Sequence, residues 1–330
     1  MSRCTMLSAV VAALAVPVGF ADEGRIPVFQ PTTITQPGAY VLTEDVSFAS
    51  SDAIVIQASN VTLDLNGRTI VNTDGIGSHV VIDGDRENIR IRNGRLQGGQ
   101  WGVYYSSGTF STTVWLEGLE ISGVAADAVY LAGLRYFEMT SSKVRNTGNG
   151  GVLLIGNTSF AGRIVGNEFR DIGNRAMIVA GGEGVVIREN VVSAASYGVD
   201  TGIGGGGVVV EGNSFAGTSI GVTLAAPGCL VLNNAFRGFT TGIVVGFSAN
   251  GHRIAGNVIQ GGSGDGVSVS TLRNLIEGNQ IEGKAGCGIR FTGTPPASDN
   301  VYRNNMLRGN SGGALCGNVA GNTDGGGNIP

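Results

Sequence analysis

The chain has 330 residues, a formal net charge of -4 and 57 glycines, well above the usual glycine share of roughly 7%. Only 14% of residues are charged and mean hydropathy is +0.18, which excludes a disordered acidic chain. The glycines follow no Gly-X-Y triplet, which excludes collagen, and a pI near 5.3 without a basic block argues against nucleic-acid binding.

The first segment, residues 1–21, reads as a signal peptide. Arg3 supplies the positive start, Met6 to Val18 the apolar stretch, and Gly19-Phe20-Ala21 a small-x-small cleavage site. The apolar run is too short for a membrane-spanning helix. The expectation is therefore an exported protein, periplasmic or extracellular, with no membrane insertion after cleavage.

From there on the chain is one repeat. An apolar residue recurs at Leu65, Ile91, Leu116, Met139, Ile164, Ile187, Val210, Val231, Ile254, Ile276 and Tyr302, at intervals of 21 to 26 residues. Each is followed five positions later by a second, from Ile70, Leu96 and Ile121 through to Ile281 and Leu307. A second marker, Gly or Ala followed by an apolar residue, runs in phase from Gly102-Val103 and Ala128-Val129 to Gly288-Ile289 and Gly313-Ala314. Short β-branched segments punctuated by glycine, with no helical period, predict stacked coils that share one core. About eleven coils form a single all-β domain, a right-handed parallel β-helix, the hand following the rule for parallel crossovers.

Asparagine occupies the third position of the motif at Asn167, Asn190, Asn213, Asn234, Asn257, Asn279 and Asn305. Stacked coils bring such side chains about 4.8 Å apart, close enough for an amide ladder, and asparagine also tolerates the left-handed backbone of a tight corner. Charges beside the motif alternate in sign on neighbouring coils, Arg92 with Glu117, Arg188 with Glu211 and Glu277 with Arg303, and read as solvated rungs. Cys229, Cys287 and Cys316 are an odd set, so at least one thiol stays free in an oxidising compartment. Their spacing fits no metal site, and they read as small buried apolar residues rather than a disulfide framework.

Residues 32–98, with Thr33-Ile34-Thr35-Gln36-Pro37-Gly38-Ala39-Tyr40-Val41-Leu42 and Asn60-Val61-Thr62-Leu63-Asp64-Leu65-Asn66-Gly67, resemble the opening of exported right-handed parallel β-helix repeat proteins. That pectate-lyase-like group includes relatives of the periplasmic nitrous-oxide-reductase maturation protein and carbohydrate-binding and sugar-hydrolase domains. The resemblance implies an N-terminal cap with first strands over residues 22–58, the β-helix over 59–322 and a Gly-rich tail over 323–330. It also implies polysaccharide as the partner. Asn72-Thr73-Asp74-Gly75 resembles the first polygalacturonase motif, but the later aspartate pair, histidine and Arg-Ile-Lys motifs are absent. Asp83, Asp85 and Glu87 offer oxygens for calcium but read as a charged turn, so no metal and no cofactor are expected.

A polymer site on a β-helix lies along the outer face of one sheet. The outward column beside the second marker reads Tyr104, Tyr130, Leu153, Ile178, Asp200, Thr223, Val244, Ser268 and Arg290. The residues just before the marker add Asp74, Trp101, Asp127, Arg175 and Tyr197. Trp101, Tyr104, Tyr130, Arg175 and Tyr197 are the candidate substrate-binding residues, rings facing sugars and the guanidinium facing a uronate. Asp74, Asp127 and Asp200 are the candidate acid and base. Asp74 and Asp127 fall two coils apart, about 9 to 10 Å, at the upper edge for inverting hydrolysis. Three functions stay open: polysaccharide binding along the first six coils, a lyase or hydrolase acting on uronate polymers, and a structural or maturation scaffold. The bland alternative for the same strip is surface aromatics and ion pairs such as Arg175 with Asp200.

Overall fold

The computed structural model describes residues 24–106, 111–246, 249–293 and 297–330, the side chains of 157–159 excepted. Residues 1–21, expected to be a signal peptide, lie outside the described residues. The chain winds through about twelve turns of a parallel β-helix. Each turn visits three sheets in order.

The first sheet runs from Thr32–Ile34, Ile54–Ile56 and Ser78–Ile82 to Cys287–Phe291 and Gly313–Gly317. The second runs from Ile26–Val28, Gly38–Leu42 and Val61–Asp64 to Val301–Arg303 and Thr323–Asp324. The third runs from Val46–Phe48 and Thr69–Asn72 to Gln280–Glu282. All pairings are parallel, and in mid-molecule single strands turn a corner without a break. Val152–Val165, for example, serves the first sheet and then the second.

Register follows the repeat. Ile91, Leu116, Met139, Ile164, Ile187 and Val210 are rung partners in the second sheet, and Leu96, Ile121, Val144, Phe169, Val192 and Phe215 in the third. All are buried in one continuous core. Because a parallel coil repeats its inward positions each turn, like stacks on like. Phe215 lies on Phe236 with ring centroids 5.0 Å apart and planes 12° apart, an arrangement favoured beyond simple burial.

Two register expectations shift. The partner of Ile91 is Leu63 rather than Leu65, because the first unit makes two residues of extra corner around Asn66 and Gly67, whose φ values are +52° and +71°. At the other end Ile289 pairs with Leu315 rather than Ala314. The Gly-rich end read as a tail completes the stack. Thr323 and Asp324 pair with the second sheet, Ile329 bridges to Met306 and Asn328 joins the asparagine ladder.

The ladder is continuous from Asn167 to Asn328. Each Nδ2 donates to the next coil's Oδ1, 3.0 Å for Asn167 to Asn190, Asn190 to Asn213 and Asn213 to Asn234. The same Oδ1 accepts a backbone N–H, as Asn213 does from Asn190 at 2.9 Å. The left-handed residue of the corner is the one before the asparagine: Gly166, Gly212 and Gly256, with φ of +67°, +64° and +65°, and Glu189 and Asn233 at +57° and +56°. The ladder asparagines therefore serve as amides alone. A shorter second ladder carries Asn274, Asn300 and Asn322.

The marker glycines act by close approach rather than as turns. A Cβ on Gly221 would lie 2.5 Å from the Phe236 ring and 2.6 Å from the carbonyl oxygen of Gly242.

The cysteines correct the expectation. Cys287 and Cys316 form a disulfide, with Cα atoms 6.2 Å apart. They sit on adjacent first-sheet strands, where Cys287 opposes Gly313 and Cys316 opposes Arg290. Cys229 alone matches the buried apolar reading, fully buried and free. Of the charge pairs, Arg188 holds Glu211, and Glu277 takes both Arg253 and Arg303 at 2.7 Å. Arg92 turns instead to Asp64, 3.0 Å away, a carboxylate also reached by Arg25.

Candidate functional site

The outward column of the first sheet stands in register as the alternation demands. Tyr104, Tyr130, Leu153, Ile178, Asp200, Thr223, Val244, Ser268 and Arg290 are successive rung partners. Parallel pairing places identical positions about 4.8 Å apart, so neighbouring rings must meet. Tyr104 stacks on Tyr130, centroids 5.3 Å apart and planes 17° apart. Trp101, three residues before Tyr104 on the strand Trp101–Ser106, leans on it at 4.8 Å. All three rings are half-buried and form a continuous aromatic platform.

Further along, Arg175 opposes Tyr197 and Ile178 opposes Asp200. The Arg175 Nε donates to Asp200 at 2.9 Å and its guanidinium lies 4.7 Å from the Tyr197 ring centroid. Asp200 also accepts the Gly202 N–H at 3.0 Å. Leu153 and Ile178 separate this polar cluster from the platform. The five candidate binding residues therefore share one face in two groups.

The carboxylates are not brought together. Asp127 lies beside the platform, 4% exposed. Burial raises its pKa, against hydrogen bonds from the Gly150 backbone and from Asn149, whose Nδ2 is 2.8 Å away. Asp200 belongs three rungs further on, about 14 Å along the axis, beyond the roughly 6.5–9.5 Å of an inverting pair. Asp74 is off the strip: the rung partner of Trp101 is Ser78. Asp74 sits in the turn after Thr69–Asn72, where Ser50 Oγ and the Ile76 N–H donate to its carboxylate and lower its pKa. Asn72-Thr73-Asp74-Gly75 is turn chemistry.

The other polar candidates are engaged as well. Asp83 accepts Gln57, Asp85 accepts the Tyr105 hydroxyl, and Glu87 pairs with Arg135, so the charged turn is held by protein groups. Lys284 is fully buried, its ammonium donating to the carbonyls of Gly261 and Phe239 at 2.6 and 3.0 Å. Burial pushes its pKa down to about 8, with Asp265 acting in the other direction. Lys143 is exposed on the third sheet. Neither lysine reaches the strip.

Two features were missed in the sequence. His79 is buried directly beneath the platform, its Nδ1 and Nε2 at 3.0 and 2.9 Å from the carbonyls of Trp101 and Gln97. Trp115 stands on the outer face of the second sheet opposite Arg90. The column one residue ahead of the repeat's first apolar position would have revealed it.

The family described as "Periplasmic copper-binding protein (NosD)" matches residues 172–323, a little under half of the chain. A comparison with curated proteins finds no match. Among solved structures, the catalytic unit of a GH87 α-1,3-glucanase from Streptomyces thermodiastaticus is 14% identical with a TM-score of 0.55, covering 89% of this chain and 62% of that one. The tailspike of E. coli bacteriophage HK620, in complex with pentasaccharide, is 15% identical with a TM-score of 0.57, covering 82% and 55%. The A-module of the Azotobacter vinelandii mannuronan C-5 epimerase AlgE6 is 15% identical with a TM-score of 0.53, covering 89% and 91%. This chain thus spans less than two thirds of the glucanase unit and little more than half of the tailspike. At such identities the likeness is one of fold.

The copper of the family's description finds no donor set among the described residues, which hold no group of three or more His, Cys, Asp or Glu placed for a metal. His79 and His252 are buried with both ring nitrogens engaged. Cys287 and Cys316 are bonded to each other, and burial pushes the Cys229 thiol up to about 11, away from the thiolate that binds metal. Among the described residues no helix is long and apolar enough to cross a membrane. By its coils and its ladder the chain has the right-handed parallel β-helix fold, which its structural neighbours share, and over residues 172–323 it is similar to the NosD family.

Proposed function

We propose that the protein is an exported polysaccharide-binding β-helix whose ligand lies along the outer face of the first sheet. The observation that carries this reading is the platform of Trp101, Tyr104 and Tyr130, three half-buried rings in contact on the same face as Arg175, Tyr197 and Asp200. Sugar rings present apolar faces to aromatic planes, and the Arg175 guanidinium, held at Nε by Asp200, has its terminal N–H groups to offer a uronate carboxylate. A glucanase, a pentasaccharide-bound tailspike and a mannuronan C-5 epimerase share the fold, which supports a saccharide ligand. Retention on immobilised uronate and neutral polysaccharides, with new chain ends followed in parallel, tests the reading. Retention without cleavage is expected. Retention unchanged in the triple variant Trp101→Ala, Tyr130→Ala, Arg175→Ala sinks it.

Asp127 favours a second reading, in which the strip also cleaves. A carboxyl whose pKa is raised by burial beside a ligand platform is a general-acid candidate. New chain ends that appear with the wild type and vanish in Asp127→Asn support cleavage. Their absence leaves binding alone.

A further inference from the structure

The second sheet carries a separate groove of about 530 Å³, lined by Ala39, Thr62, Arg90, Arg92, Trp115 and the Asn60–Asn88 pair. Ala39, Thr62, Arg90 and Trp115 are successive rung partners, so the outward column steps from small side chains up to a tryptophan wall. Trp115 is half-buried and leans on Tyr136 at 5.7 Å, which fixes its plane. The Arg90 guanidinium lies 5.9 Å from the Trp115 ring centroid.

Arginines on this face are mostly neutralised. Arg92 is held by Asp64, Arg188 by Glu211, and Arg253 and Arg303 by Glu277. Arg90 differs: among the described residues it has no carboxylate partner, and its guanidinium faces the Trp115 ring. One rim of the groove is amide. Asn88 Nδ2 donates to Asn60 Oδ1 at 2.7 Å, a bond that does not use the Asn60 Nδ2 or the Asn88 Oδ1. Both residues adopt positive φ, +58° and +57°, so the rim has a fixed backbone. The groove thus joins an aromatic wall, an uncompensated guanidinium and paired amides in a volume suited to one or two sugar rings.

We infer that this groove is a second saccharide site, distinct from the first-sheet strip, and that it takes a carboxylated sugar. The pyranose ring lies against Trp115, the carboxylate pairs with Arg90, and the Asn60–Asn88 rim meets hydroxyls. The inference does not depend on the first-sheet strip, because it rests on other residues on another sheet.

The chain has only two tryptophans, Trp101 and Trp115, which makes each site separately visible. In Trp101→Phe the fluorescence reports on the second-sheet groove alone; in Trp115→Phe it reports on the strip. Titrating Trp101→Phe with a uronate tetrasaccharide is expected to shift or quench the Trp115 emission saturably. A neutral glucan tetrasaccharide should require at least about tenfold higher concentration, the size of one charge-assisted contact. Arg90→Gln in the same background should lose about tenfold in affinity while far-UV circular dichroism stays unchanged. No saturable response of Trp115, an equal response to the neutral sugar, or undiminished affinity in Arg90→Gln overturns the inference. Stronger binding of a sulfated tetrasaccharide overturns the carboxylate assignment. A response of Trp101 without one of Trp115 leaves the first-sheet strip standing and removes this groove, and the converse result does the reverse.

Discussion

His252 Nδ1 accepts the backbone N–H of Cys229 at 3.2 Å, while its Nε2 lies 3.1 Å from the carbonyl of Ala249. Only the neutral ring protonated at Nε2 satisfies both partners. His252 thereby extends the second ladder, since its own N–H donates to Asn274 Oδ1 at 2.9 Å.

A pH dependence follows. Burial lowers the pKa of both His252 and His79 below the ordinary 6.5. Between the lowered folded values and 6.5 the unfolded chain binds more protons. Stability is therefore complete above pH 6.5 and falls as the pH drops through that window, by up to about 1.4 kcal/mol per pH unit for each histidine. Asp127, with its raised pKa, contributes the opposite sign. Urea midpoints between pH 5 and 7.5 are expected to fall towards acid. His252→Asn keeps an acceptor for Cys229 and should remove a large part of the slope; an unchanged slope refutes the assignment to His252.

The amide ladder should be most sensitive at its centre. Asn234 accepts from Asn213 and donates to Val210 and Asn257, so Asn234→Ala orphans several buried groups, each worth about 1–3 kcal/mol. A loss of about 2 to 4 kcal/mol is expected from chemical denaturation. Asn328→Ala, at the half-exposed last rung, should lose under about 1 kcal/mol.

The disulfide closes a separation of 29 residues, for which chain entropy predicts about 3 to 4 kcal/mol. Cys287→Ser with Cys316→Ser should lower the denaturation midpoint accordingly. Equal midpoints with and without the bond contradict this.

Cys229 should be silent to thiol reagents at pH 8 in the folded protein, because it is fully buried and its thiol pKa is raised to about 11. One thiol should appear per chain on unfolding without reductant, and three after reduction if the segment containing Cys4 has been removed.

The repeat was legible because a solenoid applies one constraint many times. Ile91, Leu116 and Met139 announce the same inward position, so an error in one unit is outvoted by the next. The outward strip was legible for the same reason: Tyr104, Tyr130 and Asp200 inherit their direction from the buried marker beside them. What failed depended on single, unrepeated details. Asp74 missed the strip because three residues of turn separate it from Ser78, the true partner of Trp101. The Cys287–Cys316 bond joins diagonal rather than directly opposed positions, so spacing alone did not reveal it. Trp115 and Arg90 escape the column of alternating charges because they stand two residues ahead of it, on the other side of the buried position.

The ladder fixes phase without fixing length. Asn213 to Asn234 spans 21 residues and Asn279 to Asn305 spans 26, yet both make the same bond at 3.0 Å. Most of the difference lies at one corner, between the first sheet and the second. Five residues, 225–229, bridge it in the shorter turn, and nine, 292–300, in the longer. That corner borders both the aromatic strip and the Trp115 groove. Evolution can lengthen, shorten or replace the loops that frame either ligand face, turn by turn, while the inherited chassis continues to wind unchanged.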